Sequence, residues 1–154
     1  MSDFDSPVAL LKVRGPDKFA SQGGAYHAAR STAGRSRQHE GIDLVATPGE
    51  PVVAPVPCYF VRLADPYEDK KDALLFGCLL RTVDSWNIKI LYMKPLASLK
   101  PGELVKRGDI IGHAQSLQHL YPGITDHIHI ELYRPHGERI DPTGYFFSPS
   151  VKAT

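Results

Sequence analysis

Long apolar runs are missing from this chain: no stretch approaches the roughly 20 residues that a bilayer-spanning helix needs, so no membrane span is predicted. A dominant charge is missing as well. Eighteen Lys and Arg against 17 Asp and Glu leave a formal net charge of +1. So weak a field gives no reason to expect nucleic acid or an acidic membrane surface as a partner. Cysteine is down to two, Cys58 and Cys78, both in apolar strand-like runs, "PVPCYFVRL" and "LLFGCLLRTV". Their spacing fits no zinc or redox motif, and buried free thiols are expected rather than a cystine. Helical periodicity is weak throughout; the best candidate is a short turn of helix near "SLQHLYPG", stopped by Pro122-Gly123. The opening "MSDFDSPVALLKVRG" lacks the basic and apolar regions of a secretory signal. The expectation is therefore a product of the cytoplasm that reaches the periplasm or a target cell, if at all, by a signal-independent route.

What the chain has in quantity is turn residues. Thirteen Pro and 13 Gly cut its 154 residues into short runs, among them "CYFVRLA", "NIKILYM", "IIGHA" and "HIHIELY". These are rich in Val, Ile, Leu, Tyr and Phe and bounded by turn formers, the pattern of an antiparallel β protein. The length suits one domain with a real core. The first thirty or so residues and the tail "SPSVKAT" read as loosely organised. The domain is placed at 25–147, with an extension at 1–24 and a tail at 148–154.

The segment "TDHIHIELY" puts two histidines one residue apart among apolar residues. In a strand, residues two apart share a face. His127 and His129 then look out on one side with Glu131 beyond them, while Ile128, Ile130 and Leu132 enter a core. Upstream, "HEGIDLV" read as extended places His39, Gly41 and Asp43 on one face, with Ile42 and Leu44 facing inward. Gly41 leaves the space that a closely approaching ion or substrate requires. Catalytic zinc takes three ligands of the His, Asp or Glu type and keeps a fourth position for water. If the two strands meet, His39, Asp43 and one of His127 or His129 converge on one ion. The remaining histidine then lies where a general base belongs. His113, His119 and His136 read as solvent or turn histidines, and the basic stretch holding Arg30, Arg35 and Arg37 as a solvated loop. In "RIDPTGYF", Asp141-Pro142 ends the domain in a turn before an aromatic pair tucks into the core.

Five motifs in order, "HEGID", "GEPVVAPV", "VKRGDIIG", "HIHIE" and "DPTGYF", resemble the lysostaphin/LytM-type zinc metallopeptidases. The resemblance spans about residues 25–147. It implies a compact antiparallel β architecture with a groove over one sheet, one Zn²⁺ ion, and peptidoglycan peptides as substrate. It assigns His39, Asp43 and His129 to the metal and His127 to catalysis. Within the group, "RQHEGIDL", "ILYMKPL" and "HLYPGITDHIHIE" look most like the leukocyte cell-derived chemotaxin branch, which keeps the zinc without being a known peptidase. The departure from the enzymes is Lys94, two residues after Tyr92, where the peptidases carry a second catalytic histidine. A lysine is a strong donor that can steady negative charge in a transition state, but a poor base near neutral pH. Tyr92 on the same strand face is a candidate partner. Arg37 is expected to brace His39 or anchor a substrate carboxylate. His27 lies near the family's entry loop and is a candidate to line the groove. Residues 63–77 are a candidate lid. Two functions follow: a zinc endopeptidase acting on peptidoglycan, or a zinc-stabilised module whose altered site binds a protein or cell-wall partner.

Overall fold

The computed structural model describes residues 4–32, 35–66 and 74–147. Among these the chain runs β1 (Ala29–Thr32), β2 (Arg35–Gln38), β3 (Ile42–Val45), β4 (Pro51–Val53), β5 (Cys58–Ala64) and β6 (Gly77–Thr82). It continues through β7 (Asn87–Leu91), β8 (Met93–Pro95), β9 (Leu104–Val105), β10 (Ile110–Ala114), β11 (His127–Tyr133), β12 (Arg139–Ile140) and α1 (Thr143–Phe146). The main sheet has the order β12-β11-β7-β6-β5-β9, with β3 added beside β11. β4, β10 and β8 form a second sheet, and β1 and β2 a hairpin. Every pairing is antiparallel. This is the mainly β, antiparallel architecture expected from the turn-bounded runs. No helix among the described residues is long and apolar enough to cross a membrane.

β11 sits between neighbours on both edges. β3 pairs with His127–Ile130 and β7 with His129–Tyr133. The alternation holds as expected: Ile128, Ile130 and Leu132 are fully buried with Ile42, Leu44, Ile88 and Ile90. Each such side chain contributes about 1.5–3 kcal/mol by leaving water. Cys58 and Cys78 are free, and burial pushes both thiols up to about 12.

Two expectations do not hold. The N-terminal segment is packed rather than loose. Phe4 is buried against Tyr145 and Phe146, with ring centroids 5.8 and 5.1 Å away. Val13 bridges to Leu44 of β3. The segment is irregular, so no periodicity announces it; its order comes from what it lies against. The candidate helix at "SLQHLYPG" is instead a turn, because side chains take the backbone groups a helix would use. Asp126 Oδ1 accepts from Leu117 N at 2.8 Å, and Gln118 bonds both Ile124 O and Gly123 N at 2.8 Å. The short helix falls at α1, where Asp141 Oδ1 accepts from Thr143 N at 2.9 Å; Phe146 enters the core there, in line with the aromatic packing read from "RIDPTGYF". The tail 148–154 and residues 67–73 of the candidate lid lie outside the described residues.

Candidate metal centre

Asp43 and His129 stand directly opposite each other in the β3–β11 register, so their side chains emerge on one face. His39 reaches that face by another path than strand alternation. β3 begins only at Ile42, and the chain bends between His39 and Gly41. The bend is tied down by His39 N donating to Ala28 O at 2.9 Å and His27 N donating to His39 O at 3.0 Å. Gly41 does not make room for an ion: a Cβ there would lie 2.0 Å from the Ile130 carbonyl oxygen. The space is filled by the backbone of β11.

Three ligand atoms converge. His39 Nε2 lies 3.0 Å from His129 Nδ1 and 3.1 Å from Asp43 Oδ1, and the last two atoms are 3.0 Å apart. All three residues are buried. The outer nitrogens are occupied. His39 Nδ1 donates to Ala25 O at 3.1 Å, and His129 Nε2 donates to Glu131 Oε2 at 2.8 Å. These acceptors draw the proton of each neutral ring outward and leave the inner nitrogens as lone pairs. Two lone pairs and a carboxylate oxygen at this separation repel unless a positive centre lies between them. A tetrahedral ion with nitrogen and oxygen bonds of about 2.0–2.1 Å sets its ligand atoms about 3.3 Å apart. The triangle therefore fits a small divalent cation after slight opening.

In the metal-free site a proton does part of that work. Burial opposes charge on His129, but the hydrogen bonds to Asp43 and Glu131 outweigh it and raise its pKa to about 9. Burial also opposes charge on Asp43, yet His127, His129 and His39 together hold its carboxyl well below the usual range. Glu131 is drawn down to about 2, against its own burial, by His129 and by the Tyr133 hydroxyl.

His127 stands beside the triangle. Its Nδ1 donates to Thr125 O at 2.7 Å, which leaves the lone pair on Nε2, 3.6 Å from Asp43 Oδ2. Burial lowers its pKa, so the ring is neutral near pH 7. Its ring stands perpendicular to that of Tyr92, with centroids 5.3 Å apart and planes at 89°.

Lys94 is not brought to this place. It is exposed, its Nζ sits 5.9 Å from the centroid of the Phe76 ring, and it does not line the pocket over the triangle. Tyr92, which does line it, has φ 67° and interrupts the alternation between β7 and β8. Counting by two from Tyr92 to Lys94 therefore does not carry a side chain to the same face. His27 is exposed and stacked on Tyr26, and it too lies outside the pocket lining. Arg37 pairs with Arg30 across the β1–β2 hairpin; its side chain lies outside the described residues. His113, His119 and His136 are exposed.

Two residues escaped the sequence reading. Arg30 is no solvated loop residue: its Nη2 lies 3.3 Å from Asp43 Oδ2, and its Nη1 donates to Gly23 O at 2.8 Å. Arg14 Nη1 donates to the same Asp43 oxygen at 3.0 Å. Nothing in the irregular segment around Arg14 signalled this. The pocket holds about 440 Å³, with a polar floor at the triangle and a wall that includes Phe19, Leu117, Tyr121 and Ile124.

Residues 37–142 match the peptidase family M23. The chain belongs to that family. It is 34% identical over 122 residues to mouse leukocyte cell-derived chemotaxin-2, covering 79% of this chain and 72% of that protein. Among solved structures, this M23 chain is similar to a zinc containing peptidase from Vibrio cholerae, with TM-score 0.62 and 19% identity. That match covers 91% of this chain but 39% of the Vibrio chain, so the family fold here corresponds to under half of that molecule. It is similar also to the catalytic domain of the antimicrobial peptidase lysostaphin from Staphylococcus simulans, with TM-score 0.55 and 18% identity. There the coverage is 94% of this chain and 89% of the other. At such identities these two likenesses establish the fold alone.

Proposed function

We propose that this M23 domain is a zinc-dependent endopeptidase acting on peptidoglycan peptides. The observation that carries the reading is the convergence of His39 Nε2, Asp43 Oδ1 and His129 Nδ1, with a neutral His127 at its edge. Two imidazoles and one carboxylate suit zinc better than the oxygen-seeking Ca²⁺ or Mg²⁺. Zinc, when bound, supplies a Lewis acid that polarises the scissile carbonyl and makes water nucleophilic near neutral pH.

The protein's own groups do the rest. His127 has its tautomer set by Thr125 O, so Nε2 is the atom that takes a proton from the attacking water. The same Nε2–H then delivers it to the departing amine. Tyr92, on the pocket wall, is the donor for the oxygen on which negative charge develops. Lys94 joins it only if its side chain turns away from Phe76. Arg37, across the hairpin from Arg30, is the anchor for a substrate carboxylate.

The test is release of soluble fragments from peptidoglycan sacculi by the zinc-loaded full chain. Wild type is expected to release new peptide termini and His127→Ala to release none while keeping its zinc. Negligible release by both would sink the peptidase reading. The exposed position of Lys94 favours a second reading, a zinc-stabilised module that binds a cell-wall or protein partner. Its mark is retention of the protein on intact sacculi with no new termini.

A further inference from the structure

The Arg14–Asp17 pair touches both halves of the site. Arg14 is 5% exposed, and each face of its guanidinium fork is used. Nη1 donates to Asp43 Oδ2 at 3.0 Å, while Nε and Nη2 donate to the two oxygens of Asp17 at 3.0 and 2.8 Å. Its backbone reinforces the hold: Arg14 N donates to Asp43 O at 2.9 Å. Asp17 Oδ2 also accepts Thr125 N at 3.1 Å, and Thr125 O is the acceptor that orients His127 through Nδ1 at 2.7 Å. This pair, buried at Arg14 and half-buried at Asp17, thus leads on one side to the carboxylate of the ligand triangle and on the other to the neighbouring histidine. Neither residue falls within the family match at 37–142.

We propose that Arg14 and Asp17 are positioning residues for the metal centre, supplied by the N-terminal segment. Arg14 occupies Asp43 Oδ2 together with Arg30, so Oδ1 is the oxygen left to hold an ion at the triangle, and turning the carboxylate to offer both oxygens would break these contacts. Asp17 holds the Arg14 fork in its plane and, through Thr125, holds His127 in a single tautomer. The Arg14–Asp43 ion pair, buried at both ends, would be a weak choice for packing alone, since desolvating two charges cancels most of their attraction. Here the geometry serves the ligand. Outer partners of this kind alter metal affinity by about 10–100-fold.

This inference rests on the metal reading above, and the test separates the two. Zinc affinity of the full chain is measured by competition with a chromophoric chelator, and the cobalt-substituted protein is followed by its visible spectrum. Arg14→Met is expected to weaken zinc binding by about 10–100-fold and to shift the cobalt bands as Asp43 changes its mode of binding. Asp17→Asn is expected to weaken zinc less and, in the zinc-loaded protein, to mix the His127 tautomers seen in a nitrogen-15 imidazole spectrum. Arg134→Met, which removes an exposed ion pair to Glu138, serves as the control and leaves both readouts unchanged. If Arg14→Met fails to fold, Arg14→Lys takes its place, because it keeps the charge but loses the fork. Folded variants with wild-type zinc affinity and an unaltered cobalt spectrum would overturn the positioning role while leaving the metal site intact. A wild type that binds neither ion removes both.

Discussion

His129 has a buried carboxylate at each nitrogen, Asp43 at Nδ1 and Glu131 at Nε2. Its raised pKa makes the metal-free protein depend on pH in a definite direction. A histidine lifted from about 6.5 in the unfolded chain to about 9 in the fold contributes fully below pH 6.5, and the contribution fades as pH rises through 9. At about 1.36 kcal/mol per pKa unit, the loss is on the order of 3 kcal/mol. The melting temperature of chelator-treated protein is expected to fall between those pH values. Zinc-loaded protein should show no such slope, because the ion replaces the proton at Nδ1. A flat profile in the metal-free protein would contradict the tight Asp43–His129–Glu131 arrangement. On the acid side the sign reverses: Asp43 is held low, so its contribution is present above its ordinary range and lost as pH falls beneath it. At this scale the grouping of His127 and His129 with His39 and Asp43 was suggested by residue order, while their separate roles came from the family resemblance. The arginines on Asp43 were not, since only the folded chain brings Arg14 to a residue 29 positions away.

Between residues and fold, β11 does most of the placing. Its alternation set which side chains face the His39–Asp43–His129 triangle and which fill the core, and both faces were readable from "HIHIELY". β3 was readable only from Ile42 onward. The bend at His39–Gly41 depends on β11 pressing its Ile130 carbonyl against a residue without a side chain. Gly41→Ala is therefore expected to cost more than about 4 kcal/mol in urea unfolding, the range reserved for severe backbone or core damage. It should also abolish zinc binding, because β3 cannot stay seated against β11. Gly49→Ala is the contrast: φ is +88° but no atom lies near the added methyl, so only the left-handed backbone cost of about 1–2 kcal/mol applies. Equal losses in the two variants would show that the close approach at Gly41 is not what matters. The β7–β8 junction carries the opposite lesson. A positive φ at Tyr92 is invisible to residue counting, and it is what separates Tyr92 from Lys94.

For the molecule as a whole, the centre joins segments from three parts of the chain: the N-terminal segment, β3 with its preceding bend, and β11. An ion that binds only when these are assembled stabilises the fold by mass action. At free zinc about 1,000-fold above the dissociation constant, the gain is about 4.1 kcal/mol, and chelation should lower the melting temperature accordingly. The N-terminal segment belongs to the same cooperative unit. Phe4→Ala is expected to cost about 3–5 kcal/mol, as for a buried aromatic elsewhere in a core. A melting temperature unchanged by that substitution would mean the segment is docked without contributing.

Residue order alone was enough for the strand-rich class and the face of β11, because each depends on local periodicity along the chain; the choice between His127 and His129 was left open by spacing and came from the family resemblance. The bend that delivers His39, the turn of Tyr92 away from Lys94 and the arginines bound to Asp43 came from tertiary contacts. Each is enforced by a distant backbone or side chain pressing on the residue concerned, and such pressure leaves no period in the string of letters.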